Sequence, residues 1–390
     1  MRKFSRMIVA VVPLMGLTAQ SAPSADALFA QGAFAEAGRA YEADVARAPN
    51  DGAALAGLAR ARLYDGQEAK AVELARKALE LAPANPVATA VLRVADGRQK
   101  AFGPDLYQIA APAEAVSIPF VITDPLPVVR VTIGGREVNF LIDTGAPDIM
   151  VKRPIAEALG LTITAAGEGV FAGGRRAPVE RALVPELQIG TIRVKNVPAV
   201  ISPAAGGLRL PNVEIDGIIG TGLLMHFLST LDYCHGALVL GARGSSAAFE
   251  ARAAASGANV VPMWLVGDHF IFARARLNQA SEGIFHIDTG LAGGGLIASR
   301  EALDAAGVAI DESKAFMGIG GGGPVRAIPF RAGATLGKLT RSDVPGSYSP
   351  EGDPAAIFPF RTGGVLSHAF FRQSRLSFDF TAMRLVTEAC

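Results

Sequence analysis

Two kinds of apolar periodicity divide the chain. From about Ala27 to Ala82 it is Ala-rich, almost free of β-branched runs, and matches itself at a shift of 34. Gly32 aligns with Gly66, Ala37 with Ala71 and Pro49 with Pro83, which predicts repeated pairs of helices. NPVATAVLRVADGRQK, residues 85–100, reads as a further helix that covers the array. Beyond residue 115 the pattern changes to short Val/Ile/Leu/Phe runs cut by Gly and Pro, which predicts many short strands. These patterns place a helical region at 25–100, a linker at 101–115 and a strand-rich remainder from 116 to 390.

The strand-rich part also repeats. VSIPFVITDPLPVVRVTIGGREVNFLIDTG answers VVPMWLVGDHFIFARARLNQASEGIFHIDTG, with Ile118-Pro119 against Val261-Pro262 and Asp143 against Asp288, 145 positions later. A single predicted helix follows each motif, VKRPIAEALGL and IASREALDAAGV. Gly160 faces Gly307 at a shift of 147, so two residues are inserted just past the second Asp-Thr-Gly. Asp232 keeps the same shift of 147 to Asp379. Landmarks that hold their order this far indicate duplication, with halves at 116–245 and 246–390.

A lone Asp-Thr-Gly is weak evidence, because Asp and Gly at a strand end usually mark a turn. Duplication changes its meaning. In a molecule with approximate two-fold symmetry, equivalent residues near the axis meet, so Asp143 and Asp288 can face each other. Two adjacent carboxyls cannot both ionise readily and so share a proton. The ionised member can then activate water while the protonated one donates to a carbonyl. Thr144 and Thr289 can lock the two loops across the axis, and Gly145 and Gly290 let backbone approach the carboxyls.

These residues resemble the retropepsin-like aspartic proteases, in a tandem single-chain form similar to the bilobal pepsin plan, over roughly residues 116–390. Ile218-Ile219-Gly220 matches the family element that passes under the catalytic loop. The resemblance implies a mainly-β bilobal acid-protease fold and an aspartic endopeptidase acting on proteins or peptides. It also implies glycine-rich flaps over the cleft, with Phe171, Gly173 and Gly174 in the first and Ile319, Gly320 and Gly321 in the second contacting substrate. The cleft should accept an extended peptide as an added strand. One chain carries both aspartates, so a monomer is expected. The helical segment resembles tetratricopeptide hairpins, which implies either a groove for a protein partner or a bundle that stabilises the enzyme.

The chain also departs from the family. Ala146 and Leu291 stand where pepsin-type lobes carry Ser or Thr after the motif, and Ser367 stands where the first half has Gly220. Loss of hydroxyl donors to the ionised dyad predicts an activity optimum at mildly acidic to neutral pH. A drifted second half leaves open a weak or inactive peptide-binding envelope adaptor; a second alternative is hydrolysis of a non-protein amide, such as a peptidoglycan crosslink, by the same dyad.

Composition removes other classes. With 37 basic against 36 acidic residues and no Lys/Arg run, a nucleic-acid partner is not expected. The five histidines are dispersed, so no metal or cofactor is assigned. Gly318 to Gly323 satisfy GxGxxG, but the PVRAIPF that follows reads as strand, which excludes a dinucleotide site. Trp264, Phe270 and Phe272 read as core. Residues 1–24 combine a basic start (Arg2, Lys3, Arg6), an apolar stretch from Met7 to Leu17 and small residues, the plan of a signal peptide. Export to the periplasm or medium is expected, or membrane anchoring if the leader is retained, with no other spanning segment. Cys234 and Cys390 read equally as one disulfide or two buried thiols.

Overall fold

The computed structural model describes residues 22–171, 175–201, 209–210, 213–292, 294–320, 323–350 and 357–390. The leader expected over 1–24 lies outside the described residues except for its last three positions, and Gly173, Gly174 and Gly321 also lie outside them.

Five helices open the described chain: α1 Ala25–Ala30, α2 Phe34–Arg47, α3 Gly52–Tyr64, α4 Glu68–Leu81 and α5 Pro86–Ala101. Helices α2 and α4 have 14 residues each and begin 34 positions apart. Asp51 and Asn85 cap α3 and α5 by accepting hydrogen bonds from the first-turn amides, which satisfies donors the helix cannot use itself. Gly32 and Gly66, at φ +71° and +74°, turn the chain out of α1 and α3 in a region that a Cβ disfavours. Nine of the 13 residues of α3 are buried, because the helix is wedged between α2, α4 and the strand Asn259–Val266.

The helices therefore share a core with the strand-rich part. Phe29, Phe34 and Tyr64 pack with Trp264, Phe272 and Phe360 in one apolar cluster. Trp264 Nε1 donates to Asp65 at 3.1 Å, and buried Arg98 donates to the carbonyls of Leu265 at 2.9 Å and Gly267 at 2.5 Å.

The remainder is mostly β. A six-stranded antiparallel sheet joins its two halves in the order Val116–Ile122, Ala237–Ala242, Phe227–Asp232, Ser374–Asp379, Arg384–Ala389, Asn259–Val266. At its centre Thr230 pairs with Ser377, its counterpart at the 147-residue shift, and their hydroxyls lie 2.7 Å apart. A residue paired antiparallel to its own counterpart sits on a local two-fold axis.

On one side of this sheet, Val128–Ile133 and Arg136–Ile142 form a hairpin through Gly134 and Gly135, both at positive φ as a two-residue turn requires. Gly217–Ile219 runs parallel to Arg136–Ile142 and antiparallel to Ile149–Val151. The other side repeats the arrangement, with Gly364–Leu366 parallel to Gly283–Ile287 and antiparallel to Leu296–Ala298. Cys234 and Cys390 are bonded, which ties the hairpin turn after Phe227–Asp232 to the chain end.

Candidate active site

The strands Arg136–Ile142 and Gly283–Ile287 end at Asp143 and Asp288. Phe140, Leu141, Ile142, Phe285 and Ile287 are all buried, so each aspartate is delivered by fixed backbone. The Asp143 amide donates to Ile219 O and the Asp288 amide to Leu366 O, both at 3.0 Å. The Ile218-Ile219-Gly220 element thus supports the first aspartate, and its counterpart supports the second.

Four hydrogen bonds lock the loops together. The Thr144 amide donates to Thr289 Oγ1 and the Thr289 amide to Thr144 Oγ1, each at 3.1 Å. Thr144 Oγ1 donates to Ile287 O at 2.8 Å and Thr289 Oγ1 to Ile142 O at 3.2 Å. Both threonines are fully buried, so breaking any member strands a polar group away from water.

The glycines bring the carboxyls face to face. A Cβ on Gly145 would lie 2.6 Å from Cγ of Asp288, and one on Gly290 would run into the Asp143 carboxyl. Each glycine amide donates to the aspartate of its own loop at 2.8 Å. Burial, and then the facing Asp288 carboxyl, push Asp143 well above the usual carboxylate range, partly offset by the amides of Gly145 and Ala146. Both aspartates stay partly open to solvent. The pair can therefore hold one proton between two carboxyls, the protonation state that acid and base work on a bound carbonyl and water requires.

The two loops differ where the sequence departs. A Cβ on Gly220 would press on the carbonyls of Ala146 at 2.5 Å and Pro147 at 2.6 Å, so the first loop requires glycine there. In the second half Ser367 stands at the corresponding position, and its side chain accepts from the Leu291 amide at 3.1 Å. The Leu291 amide is committed to Ser367, whereas the Ala146 amide faces the Asp143 carboxyl.

Among the expected flap residues, the backbone of Phe171 pairs with that of Arg175, and Ile319 and Gly320 pair with Pro324 and Gly323. Trp264 and Phe272 belong to the core shared with the helices, and partly buried Phe270 packs against it, in keeping with their reading as core. Sequence reasoning missed Tyr107, whose phenol donates to Asp148 Oδ1 at 2.7 Å five residues past Asp143. It also missed the Leu291 partner of Ser367. Ser367 stood out in the sequence, but no sequence signal marks Tyr107.

Comparison with known proteins finds a likeness within the first strand-rich half. Residues 129–223 match a family model described as aspartyl protease, a span that contains Asp143 and Ile218-Ile219-Gly220. No curated protein matches the chain. Among solved structures, a retropepsin-like aspartic protease from Rickettsia conorii is 19% identical, with 35% of this chain and 94% of that one covered and a TM-score of 0.24. Conglutin gamma, a basic 7S globulin from lupine seeds, is 9% identical, with 72% and 96% covered and a TM-score of 0.41.

Proposed function

We propose that the chain is an exported aspartic endopeptidase with two tandem aspartate-bearing lobes and an N-terminal region of tetratricopeptide-like hairpins. The observation that carries this reading is the crossed Thr144–Thr289 bonding, which sets Asp143 and Asp288 against each other in one centre. In the proposed step one ionised carboxyl takes a proton from water as its oxygen attacks the peptide carbonyl. The protonated partner donates to the carbonyl oxygen, so a tetrahedral gem-diol forms. Collapse breaks the C–N bond as the carboxyl that took the water's proton passes it to the leaving nitrogen, while one gem-diol hydroxyl returns its proton to the other carboxyl, giving a carboxylic acid, an amine and the starting dyad. The Cys234–Cys390 bond supports an oxidising compartment, and among the described residues no helix is long and apolar enough to cross a membrane.

The test is turnover of a mixed peptide library by wild type, Asp143→Asn and Asp288→Asn, with and without pepstatin. Cleavage by wild type alone, blocked by pepstatin, is the expected result. Peptide binding that survives both substitutions, with no cleavage by wild type, points instead to an adaptor.

A further inference from the structure

The geometry points to Tyr107 as a positioning residue that holds the first aspartate loop from outside it, so that residues 101–115 act as a strap between the helical region and the catalytic centre. Its effect on turnover rests on the endopeptidase reading; its effect on the loop rests on the contacts alone.

Tyr107 is 4% exposed and sits at φ +45°, a backbone region that is strained for a non-glycine residue. Several contacts hold it there. Its amide donates to Asn196 O at 3.1 Å, Asn196 Nδ2 donates to Asp105 O at 2.9 Å, and Gln108 and Ile109 pair with Lys195 and Val194. Its ring lies 4.4 Å from that of His226, which Phe102 also meets at 4.4 Å. Such a strained and over-determined position serves the phenol, whose hydrogen bond to Asp148 has no counterpart on the second loop. There Gly295 takes the place of Asp148, its carbonyl accepting from the Ser367 amide as that of Asp148 accepts from Gly220.

From Asp148 the path to the dyad is short. Asp148 O accepts from the Gly220 amide at 2.9 Å, Ala146 O from the Thr221 amide at 2.9 Å, and Ile219 O from the Asp143 amide at 3.0 Å. Burial raises the Asp148 carboxyl; the Tyr107 hydrogen bond is the largest opposing influence, joined by Arg181 and His269, while Asp268 adds to the rise. Burial also keeps the phenol well above its ordinary value, so it remains a donor at every working pH. Removing the donor frees the loop and makes Asp148 protonate at higher pH.

Tyr107→Phe keeps the ring and deletes only the hydroxyl. It is expected to lower kcat about ten-fold, the rate equivalent of one lost charge-assisted hydrogen bond, with KM little changed. The acid limb of the pH–rate profile should move up, and amide exchange across residues 143–148 should quicken. In an Asp148→Asn background the Phe substitution should no longer move the acid limb. A wild type that cuts, matched by the Phe variant in kcat, acid limb and exchange, overturns the inference. If wild type cuts nothing, the endopeptidase reading fails and exchange decides alone: faster exchange in the variant upholds the strap, unchanged exchange removes it.

Discussion

Burial and the facing Asp288 keep Asp143 protonated to higher pH than an ordinary aspartate. In the unfolded chain the same group releases its proton near about pH 4. Between those two values the folded state binds a proton that the unfolded state has lost, so stability falls as pH rises through the window. Below the unfolded value both states are protonated and the penalty vanishes; above the folded value it is present in full. Asp143→Asn removes the charge while keeping the shape. Its melting midpoint should exceed that of wild type at neutral pH, and the two should converge below about pH 4. Thermal melts across that range check this, and a difference that does not change with pH contradicts it. The facing carboxyls thus hold their proton at a cost in stability, which the fully buried crossed threonines help to offset.

Among the elements, α5 does more than cover the helical array. Its Arg98 is 2% exposed, pairs with Glu68 at 3.2 Å and donates through Nη1 and Nη2 to the carbonyls of Leu63, Leu265 and Gly267, while its buried Nε has no partner among the described residues. Burial pushes the guanidinium down and Glu68 pulls it back, a balance that holds only while every partner is present. Arg98→Met keeps the apolar stem but strands buried acceptors, with an expected loss of about 2–4 kcal/mol by urea denaturation. Arg98→Lys should recover only part of it, because one ammonium cannot reproduce the guanidinium fork. A loss under about 0.5 kcal/mol would mean that the tie is unimportant. The same contacts explain what the sequence does and does not reveal. The helices, the strands that end in Asp143 and Asp288, and the Gly32 and Gly66 turns follow local periodicity and backbone demands, and these repeat visibly along the chain. The Arg98 bonds and the Tyr107–Asp148 bond join residues 167, 169 and 41 positions apart through single polar atoms, which leave no period. Residues 101–115, a linker by composition, therefore show their role only when folded.

For the whole molecule, this wiring bears on whether the helical region recruits partners or stabilises the strand-rich part. A recruiting module would keep its own core and leave the catalytic part intact when removed. Here the face of α3 is taken up by Asn259–Val266, and Trp264, Phe272 and Phe360 are buried in a cluster with Phe29, Phe34 and Tyr64. An aromatic or large aliphatic side chain contributes about 1.5–3 kcal/mol when buried, so uncovering three of them removes much of the roughly 5–15 kcal/mol that holds a folded protein together. The strand Gly283–Ile287 that delivers Asp288 leans on the same cluster through Ile284, against which Gly32 packs. A chain lacking residues 22–100 should therefore aggregate or bind a hydrophobic dye, with Trp264 fluorescence shifted toward that of a solvated indole, and should lose cleavage even though both Asp-Thr-Gly motifs remain. Size-exclusion, dye binding and fluorescence decide the matter together. A soluble, monomeric truncation that cuts at the wild-type rate and keeps a buried Trp264 would show the helices to be a separable module and return them to the recruiting role.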